Sequence, residues 1–218
     1  LSEEKSKSAL ADLMRESGAK AKRVIVAIPL RSSFVTVIEM PQMEKRELKD
    51  AVEYELRRYI PVPLQDVLLD WWVIPEGFSL AADESPGEGL VKKKKFASVL
   101  VAAIYNDVIQ RYQSFVTAAG LEIAAYEIEV FSAVRSLIGN DLAPVLILDF
   151  GASSTKVTVV DYGIVRMAYA YERGFQELTE SIARSLGVDF ARAEEMKRTI
   201  GISDKPEYRQ LRDAIEPP

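Results

Sequence analysis

Short runs of apolar, mostly β-branched residues alternate along this chain with longer segments whose apolar residues recur every three or four positions. The short runs predict strands and the longer segments predict amphipathic helices. Strands that alternate with helices predict an α/β fold. The predicted strands cover residues 24–28, 34–38, 67–74, 96–104, 121–128, 145–149, 156–161 and 165–171, and the predicted helices cover about 2–17, 44–59, 106–119, 130–137, 175–186 and 189–201.

The composition of individual strands predicts which of them are buried. The runs at 24–28 and 145–149 contain almost no polar residues before their ends, so the first is expected to be buried on both faces and the second is expected to be a buried strand. The second run ends in the carboxylate of Asp149. Trp71 and Trp72 are consecutive in a strand and point to opposite faces, so one is expected in the core and the other exposed.

Turn and cap residues predict where the elements begin and end. Asn106 and Asp189 are expected to be N-caps of the helices that follow them. Residues 75–95 are rich in Gly, Pro, Glu and Lys, which predicts a mobile loop. Pro144 marks the best boundary between two domains.

The composition excludes several classes of chemistry. The chain has no cysteine and no histidine, which removes Ser-His-Asp and Cys-His nucleophiles, zinc sites built on those residues, and disulfides. A formal net charge of -5 argues against a nucleic-acid partner. The longest apolar stretch is about half of the roughly 20 residues that a membrane-spanning helix needs. We therefore expect a soluble protein without a signal peptide, and a chain that is a piece of a longer one.

The segment 149–155, Asp-Phe-Gly-Ala-Ser-Ser-Thr, is the most informative for chemistry. A carboxylate at the end of a strand, followed by a turn of small residues, lets backbone N–H groups and hydroxyls face a phosphate while the carboxylate holds Mg²⁺ through water. Gly151 suits a backbone that approaches an anion closely. The same residue types are also common in a plain β-hairpin turn, and that alternative stays open.

A second candidate lies on the last long helix, where Glu194 and Lys197 stand three residues apart and share a face. They could grip a ribose or a base, or they could form an ordinary intrahelical ion pair. No Walker-type G-x-x-x-x-G-K-[ST] and no dinucleotide G-x-G-x-x-G motif follows a strand, so those two nucleotide-binding classes are excluded.

Three stretches together resemble a known family. Residues 40–43, 47–55, 59–64 and 67–71, with Tyr-Ile-Pro-Val-Pro-Leu at 59–64 as the most specific part, resemble the signature segment of PilM, the actin-like protein family of type IV pilus assembly. Residues 149–155 resemble its second phosphate loop, and residues 178–183 with 193–198 resemble the helices that follow. The resemblance extends from about residue 24 to residue 202.

The resemblance implies an actin-like, ribonuclease H-like α/β fold with the extra subdomain 1C of the cell-division protein FtsA. Residues 1–39 would belong to subdomain 1A, 40–119 to 1C and 120–143 to 1A again, and 144–218 would form an incomplete subdomain 2A.

The resemblance also implies ATP and Mg²⁺ as cofactors, with the metal held through water by Asp149. Glu194 and Lys197 would lie beside the adenosine. Where relatives often have Gly-Gly before the 2A helix, this chain has Arg173-Gly174, and the effect on nucleotide access stays open. The cofactor-binding residues implied are Asp149, Gly151, Ala152, Ser153, Ser154, Thr155, Gly174, Glu194 and Lys197.

The partner implied is the N-terminal cytoplasmic peptide of the inner-membrane protein PilN, in a groove between 1A and 1C. Residues 24–28 and 34–38, with the surface near Val52 and Leu56, are candidates for that groove, although each could instead be core. The protein would be cytoplasmic and reach the membrane only through this partner, with a homo-oligomer left open.

The role implied is that of a nucleotide-binding scaffold. A further hypothesis is that ATP turnover is slow at most and that the nucleotide acts as a structural latch, stabilising one closure of the two halves. Two alternatives stay open. One is a nucleotide-free secretion-system scaffold similar to the cytoplasmic domain of GspL, against which the Asp149 segment argues. The other is a small-molecule kinase of the same superfamily, against which the 1C-like insert argues.

Overall fold

The computed structural model describes residues 3–60, 62–75, 78 and 96–215. Helices and strands alternate through most of this part, as the sequence predicts. The helices are α1 (Glu3–Ser17), α2 (Lys45–Leu56), α3 (Asn106–Ala118), α4 (Glu129–Leu137), α5 (Phe175–Leu186), α6 (Phe190–Thr199) and α7 (Arg209–Ile215). The strands are β1 (Arg23–Ile28), β2 (Ser33–Pro41), β3 (Val67–Val73), β4 (Phe96–Tyr105), β5 (Glu122–Ile128), β6 (Val145–Phe150), β7 (Thr155–Asp161) and β8 (Ile164–Tyr171).

The chain forms two compact units. The first unit comprises Leu1–Leu146 and Thr158–Ala168, and the second comprises Ile147–Val157 and Tyr169–Pro218. The strands lie in three sheets with the orders β1-β5, β2-β4-β3 and β6-β7-β8. The subdomain boundaries suggested by the resemblance stay a prediction.

In the first unit, α2 covers one face of the antiparallel sheet β2-β4-β3. The apolar residues of α2 recur at helical spacing and meet every second residue of the three strands, because side chains alternate between the two faces of a strand. The buried residues of this core are Ile38, Met40, Leu48, Val52, Leu56, Ile60, Val67, Val99, Val101 and Ala103. Trp71 packs against the same core while Trp72 is 48% exposed, which confirms the predicted split.

Two predictions of buried strands are wrong. In β1, which pairs in parallel with β5, Val26 and Ile28 are buried, but Ile25 on the other face is exposed. In β6, an edge strand of its sheet, the alternate side chains Leu148 and Phe150 are exposed. An apolar sequence makes it possible for a strand to be buried on both faces. Whether each face is buried depends on which element packs against it.

The hairpin formed by β7 and β8 turns at Tyr162 and Gly163, as predicted. Both residues have positive φ, 53° and 72°, which is the backbone of a two-residue type I′ turn. Glycine reaches this conformation without a steric penalty, whereas Tyr162 adopts it at a cost.

The second unit contains a small core where α5, α6 and α7 meet, with Ile182, Ala193 and Leu211 buried. The N-cap predicted at Asp189 is confirmed, since its carboxylate accepts a hydrogen bond from the backbone N–H of Arg192 at 2.8 Å. The N-cap predicted at Asn106 is wrong. Asn106 is already the first helical residue of α3, and its side-chain amide donates to the carbonyl of Gln65 at 2.8 Å.

Most of the loop predicted over residues 75–95 lies outside the described residues. Pro75 and Phe78 are the described members of that segment, and Phe78 is exposed.

Candidate functional site

The Gly151 turn joins β6 to β7 and is closed by its own backbone. The N–H of Gly151 donates to the carbonyl of Ser154 at 2.9 Å. A Cβ atom at position 151 would lie 2.8 Å from the same oxygen, so the turn cannot accept a side chain without moving. The requirement for glycine predicted from the sequence thus has a steric cause within the turn itself.

The turn is also fixed to the start of α5. The N–H groups of Phe175 and Gln176 donate to the carbonyls of Gly151 and Ala152 at 3.0 and 2.8 Å. A Cβ atom at Gly174 would lie 2.5 and 2.6 Å from those two carbonyl oxygens. Gly174 is therefore needed because the turn and the helix pack backbone against backbone.

Thr155, the last residue of the predicted phosphate segment, ties the turn to the residue before Gly174. Its hydroxyl donates to the carbonyl of Arg173 at 2.9 Å. The Arg173 side chain is exposed, with Nε 3.6 Å from Glu177 Oε2 and the guanidinium carbon 5.8 Å from the centre of the Tyr171 ring. Arg173 thus lies beside the turn and is held on the surface.

Asp149, the predicted metal-holding carboxylate, lies near the end of β6 and has a counter-ion within the protein. Its Oδ2 is 2.8 Å from Nζ of Lys156, which follows the turn on β7. The Asp149 side chain is 56% exposed and that of Lys156 only 15%. Lys156 is not among the site residues predicted from the sequence. The signal available was its position directly after the turn, on the strand that returns beside Asp149.

Glu194 and Lys197 form a network that joins α6 to α5. Glu194 Oε2 lies 2.6 Å from Lys197 Nζ and accepts a hydrogen bond from the buried hydroxyl of Thr179 at 2.6 Å. Lys197 also donates to Thr179 Oγ1 at 2.8 Å and to the carbonyl of Phe175 at 3.2 Å. Arg198 Nε donates to the other carboxylate oxygen of Glu194 at 2.8 Å.

These contacts change the acidity of Glu194. Hydrogen bonds from Lys197, Thr179 and Arg198 stabilise the carboxylate and lower the pKa of Glu194 from 4.5 to about 2. Thr179 was missed in the sequence, although its position four residues after Phe175 places both on one side of α5.

The first turn of α5 brings most of the predicted site residues together. The carbonyl of Phe175 accepts a hydrogen bond from the Lys197 ammonium, and the N–H of Phe175 donates to the carbonyl of Gly151. Phe175 therefore contacts both the Gly151 turn and the Glu194–Lys197 pair. A cavity of about 410 Å³ beside the turn is lined by Ala152, Ser153, Glu172, Arg173, Gly174, Gln176, Glu177, Glu180 and Arg184.

The donors of this turn fit an anionic ligand better than a bare metal. Ala152 and Ser153 are exposed, and among the hydrogen bonds between described residues none uses their N–H groups or that of Ser154. Asp149 is a single carboxylate, which suits Mg²⁺ that keeps its waters and takes its remaining ligands from a phosphate. The geometry therefore fits a nucleotide phosphate with an outer-sphere metal.

The first unit has a second candidate surface, which is the face of the β2-β4-β3 sheet opposite α2. Val37, Leu100 and Trp72 form a row across the three strands, because Leu100 pairs with both of the others. Leu68, four residues before Trp72 in β3 and therefore on the same face, is 49% exposed. We call the surface formed by Val37, Leu68, Trp72, Leu100 and Ala102 the open sheet face.

The groove predicted from the sequence was wrong in one part. Val52 and Leu56 are fully buried between α2 and the sheet face that α2 covers, so they cannot contact a partner. Val37 belongs to the predicted run 34–38 and does lie on the open sheet face. A cavity of about 580 Å³ at one end of the sheet is lined by Trp72 and Phe96 from this face and by core-side residues such as Trp71 from the other.

The family model for type IV pilus assembly protein PilM matches residues 2–212 of this chain. The chain belongs to the PilM family. A chain of a solved PilM-PilN type IV pilus biogenesis complex is 25% identical to this PilM-family protein, with a TM-score of 0.74 over 96% of this chain. This chain spans 59% of the length of that relative.

A second similar structure is more distant. It is the cytoplasmic domain of EpsL, an inner-membrane component of the type II secretion system of Vibrio cholerae. The identity is 17% over 84% of this chain and 63% of that one, with a TM-score of 0.50, so the likeness concerns the fold alone. The predicted α/β, actin-like fold is confirmed.

No helix in the part of the chain that the structure describes is both long and apolar enough to span a bilayer.

Proposed function

We propose that this protein is an ATP-binding scaffold of type IV pilus assembly that binds the N-terminal cytoplasmic peptide of PilN. The observation that carries the proposal is the similarity of nearly the whole chain to a chain of the PilM-PilN complex, together with membership of the PilM family. The protein would act on the cytoplasmic side of the inner membrane, which it would reach through PilN. Fold likeness alone does not fix a function, so the two candidate sites carry the rest of the argument.

The open sheet face is the surface that we assign to the PilN peptide. A short apolar segment needs an exposed apolar surface with a polar rim. Trp72 and Leu68 supply exposed apolar area, while Glu39 and Asp70 lie on the same face of the sheet and are exposed. The aromatic side chain of Trp72 is the best candidate for an anchor, since tryptophan is enriched among residues that dominate binding energy.

The peptide assignment is tested by titrating a synthetic PilN N-terminal peptide from the same genome into the protein expressed from its whole gene. We expect Trp72→Ala to weaken binding at least about tenfold, as for an interface anchor. Tyr54→Ala is the matched control, because Tyr54 is an exposed aromatic residue on α2, which covers the other face. Equal losses in both variants, or no peptide binding by the wild type, would contradict the assignment.

The Gly151 turn is the surface that we assign to the nucleotide phosphates. The N–H groups of Ala152, Ser153 and Ser154 would bind phosphate oxygens, and Asp149 would hold Mg²⁺ through water. The metal would supply positive charge to the triphosphate. Glu194 and Lys197 would lie beside the adenosine and, held by Thr179, would keep one geometry when the nucleotide binds.

We propose a structural rather than a metabolic use of the nucleotide. A ligand that binds one closure of the two halves more tightly shifts the protein towards it, which is the latch expected from the sequence. Phosphate release by the whole protein is then expected to be slow. A rate typical of metabolic kinases would contradict the latch.

The phosphate assignment is tested by adding one negative charge to the turn. Ser153 is exposed and lines the cavity, so Ser153→Asp should leave the fold intact and weaken Mg-ATP binding at least about tenfold by repulsion. Ser185→Asp adds the same charge to an exposed position on α5 outside the cavity and should bind like the wild type. If the intact, folded wild type binds no nucleotide, the nucleotide-free scaffold alternative replaces this part of the proposal.

A further inference from the structure

Asp149 and Lys156 form an ion pair across the Gly151 turn. Their side chains belong to neighbouring strands, β6 and β7, and the contact of 2.8 Å is both an ion pair and within hydrogen-bond distance. The Lys156 side chain is largely buried, whereas more than half of the Asp149 side chain is exposed to solvent. The pair therefore has one partner, Lys156, whose side chain is held by its surroundings, and one, Asp149, that a ligand in solvent can reach.

The ammonium of Lys156 beside this carboxylate reduces the free energy that a metal ion can gain by binding there. Among the described residues, no group of three or more acidic, histidine or cysteine side chains could hold a metal together. Asp149 is therefore the carboxylate on which a magnesium ion at the turn would depend, and its charge is already balanced by Lys156. A hydrated dication and an ammonium cannot both take the full interaction with one carboxylate.

We propose that Lys156 is a built-in counter-ion that weakens the hold of Asp149 on a water-bridged Mg²⁺, so that the metal adds little to the affinity of this protein for nucleotide. The inference rests on the proposed nucleotide site. With Lys156 in place, the carboxylate does not repel a metal-free triphosphate, and the ammonium supplies positive charge at the turn. Without Lys156, the uncompensated carboxylate repels the phosphates until Mg²⁺ neutralises both groups.

The test compares ATP binding in excess Mg²⁺ with ATP binding in EDTA, by calorimetric titration of the protein expressed from its whole gene. The measured quantity is the ratio of the dissociation constant in EDTA to that in Mg²⁺. We expect a ratio within about threefold for the wild type and at least about tenfold for Lys156→Gln, because only the variant needs the metal to neutralise Asp149.

Three further variants make the test specific. Lys156→Arg keeps the positive charge and should keep the ratio of the wild type. Lys205→Gln removes an exposed lysine of the same unit that is not in the cavity, and it should change nothing. In the double variant Asp149→Asn with Lys156→Gln, the large ratio of the single Lys156→Gln variant should disappear, because the carboxylate that required the metal is gone.

The outcomes separate this inference from the proposed function. A wild-type ratio of about tenfold or more overturns the inference even if Lys156→Gln fails to fold, and so does an equal ratio in the wild type and in folded Lys156→Gln. Absence of nucleotide binding under both conditions overturns the proposed nucleotide site itself. A melting temperature close to that of the wild type establishes that Lys156→Gln is folded before its ratio is interpreted.

Discussion

The two compact units each contain a helix interface, and the two interfaces are built from different residues. In the first unit, α2 packs on the β2-β4-β3 sheet through a cluster of apolar side chains, in which Val52 and Leu56 are fully buried. In the second unit, the contact of α5 with α6 includes the buried hydroxyl of Thr179 and the charged pair of Glu194 and Lys197. The first interface should therefore respond to lost volume, and the second to lost hydrogen bonds, pH and salt.

Leu56→Ala should produce the largest effect, because it leaves a cavity in the apolar interface. We expect a loss of about 2–5 kcal/mol in the free energy of unfolding of the first unit. Both tryptophans lie in β3, so tryptophan fluorescence during urea unfolding follows this unit. Tyr54→Ala on the same helix removes an exposed side chain and should change stability by less than about 0.5 kcal/mol. Similar losses in both variants would refute the assignment of Leu56 to a tight core.

Gly174→Ala should have the second-largest effect, because the added Cβ atom would overlap the carbonyl oxygens of Gly151 and Ala152. Overpacking of this kind costs about 1–3 kcal/mol, and it should also loosen the turn and weaken nucleotide binding. Circular dichroism and Mg-ATP titration measure the two effects. Ser153→Ala, a small change at an exposed position of the same turn, serves as the control. Normal stability and binding in Gly174→Ala would mean that the turn does not rest on the helix as described.

Thr179→Val keeps the shape of the buried side chain and removes its hydroxyl, which distinguishes the two interfaces most directly. Glu194 loses a donor and Lys197 loses an acceptor, so we expect a loss of about 1–2 kcal/mol in the second unit. Thr158→Val provides a comparison at another buried threonine, which lies in the first unit. A neutral or stabilising result for Thr179→Val would show that apolar packing also dominates the α5–α6 contact.

The smallest effect is expected from pH. The pKa of Glu194 is lowered in the folded state from 4.5 to about 2, so its stabilising contribution is present above pH 4.5 and is lost as the pH falls towards 2. Glu194→Gln should remove this part of the acid sensitivity, measured as the urea midpoint of the second unit between those pH values. Glu195→Gln, one residue further along α6 and exposed, should retain it. An unchanged acid profile in Glu194→Gln would contradict the network.

The sequence predicted those parts of the molecule that depend on local chemistry. The Tyr162–Gly163 turn, the Asp189 cap and the opposite environments of Trp71 and Trp72 follow from turn geometry, capping and strand alternation. The exposure of Ile25 and Phe150 could not be predicted in the same way, because it depends on which element covers a strand face. Local composition carries no information about that.

The sequence likewise predicted only the part of the candidate site that depends on local residues. The glycine requirement at Gly151 follows from the motif, and the structure adds the reason for Gly174, which lies more than twenty residues away along the chain. Lys156 was missed because its meaning depends on the pairing of β6 with β7. The roles of Glu194 and Lys197 at a nucleotide stay a prediction, and their contacts with Thr179 are the structural information that the sequence lacked.

The alternation of side chains in β3 has a consequence for how this gene can change. A deletion of one codon within the strand would exchange the faces of the residues beyond it, moving a core side chain such as Trp71 towards solvent and Trp72 into the core. A deletion of two codons would preserve the alternation and shorten the strand. Length variation in this strand among homologous genes should therefore occur in steps of two codons, with single-codon changes confined to the segments outside it.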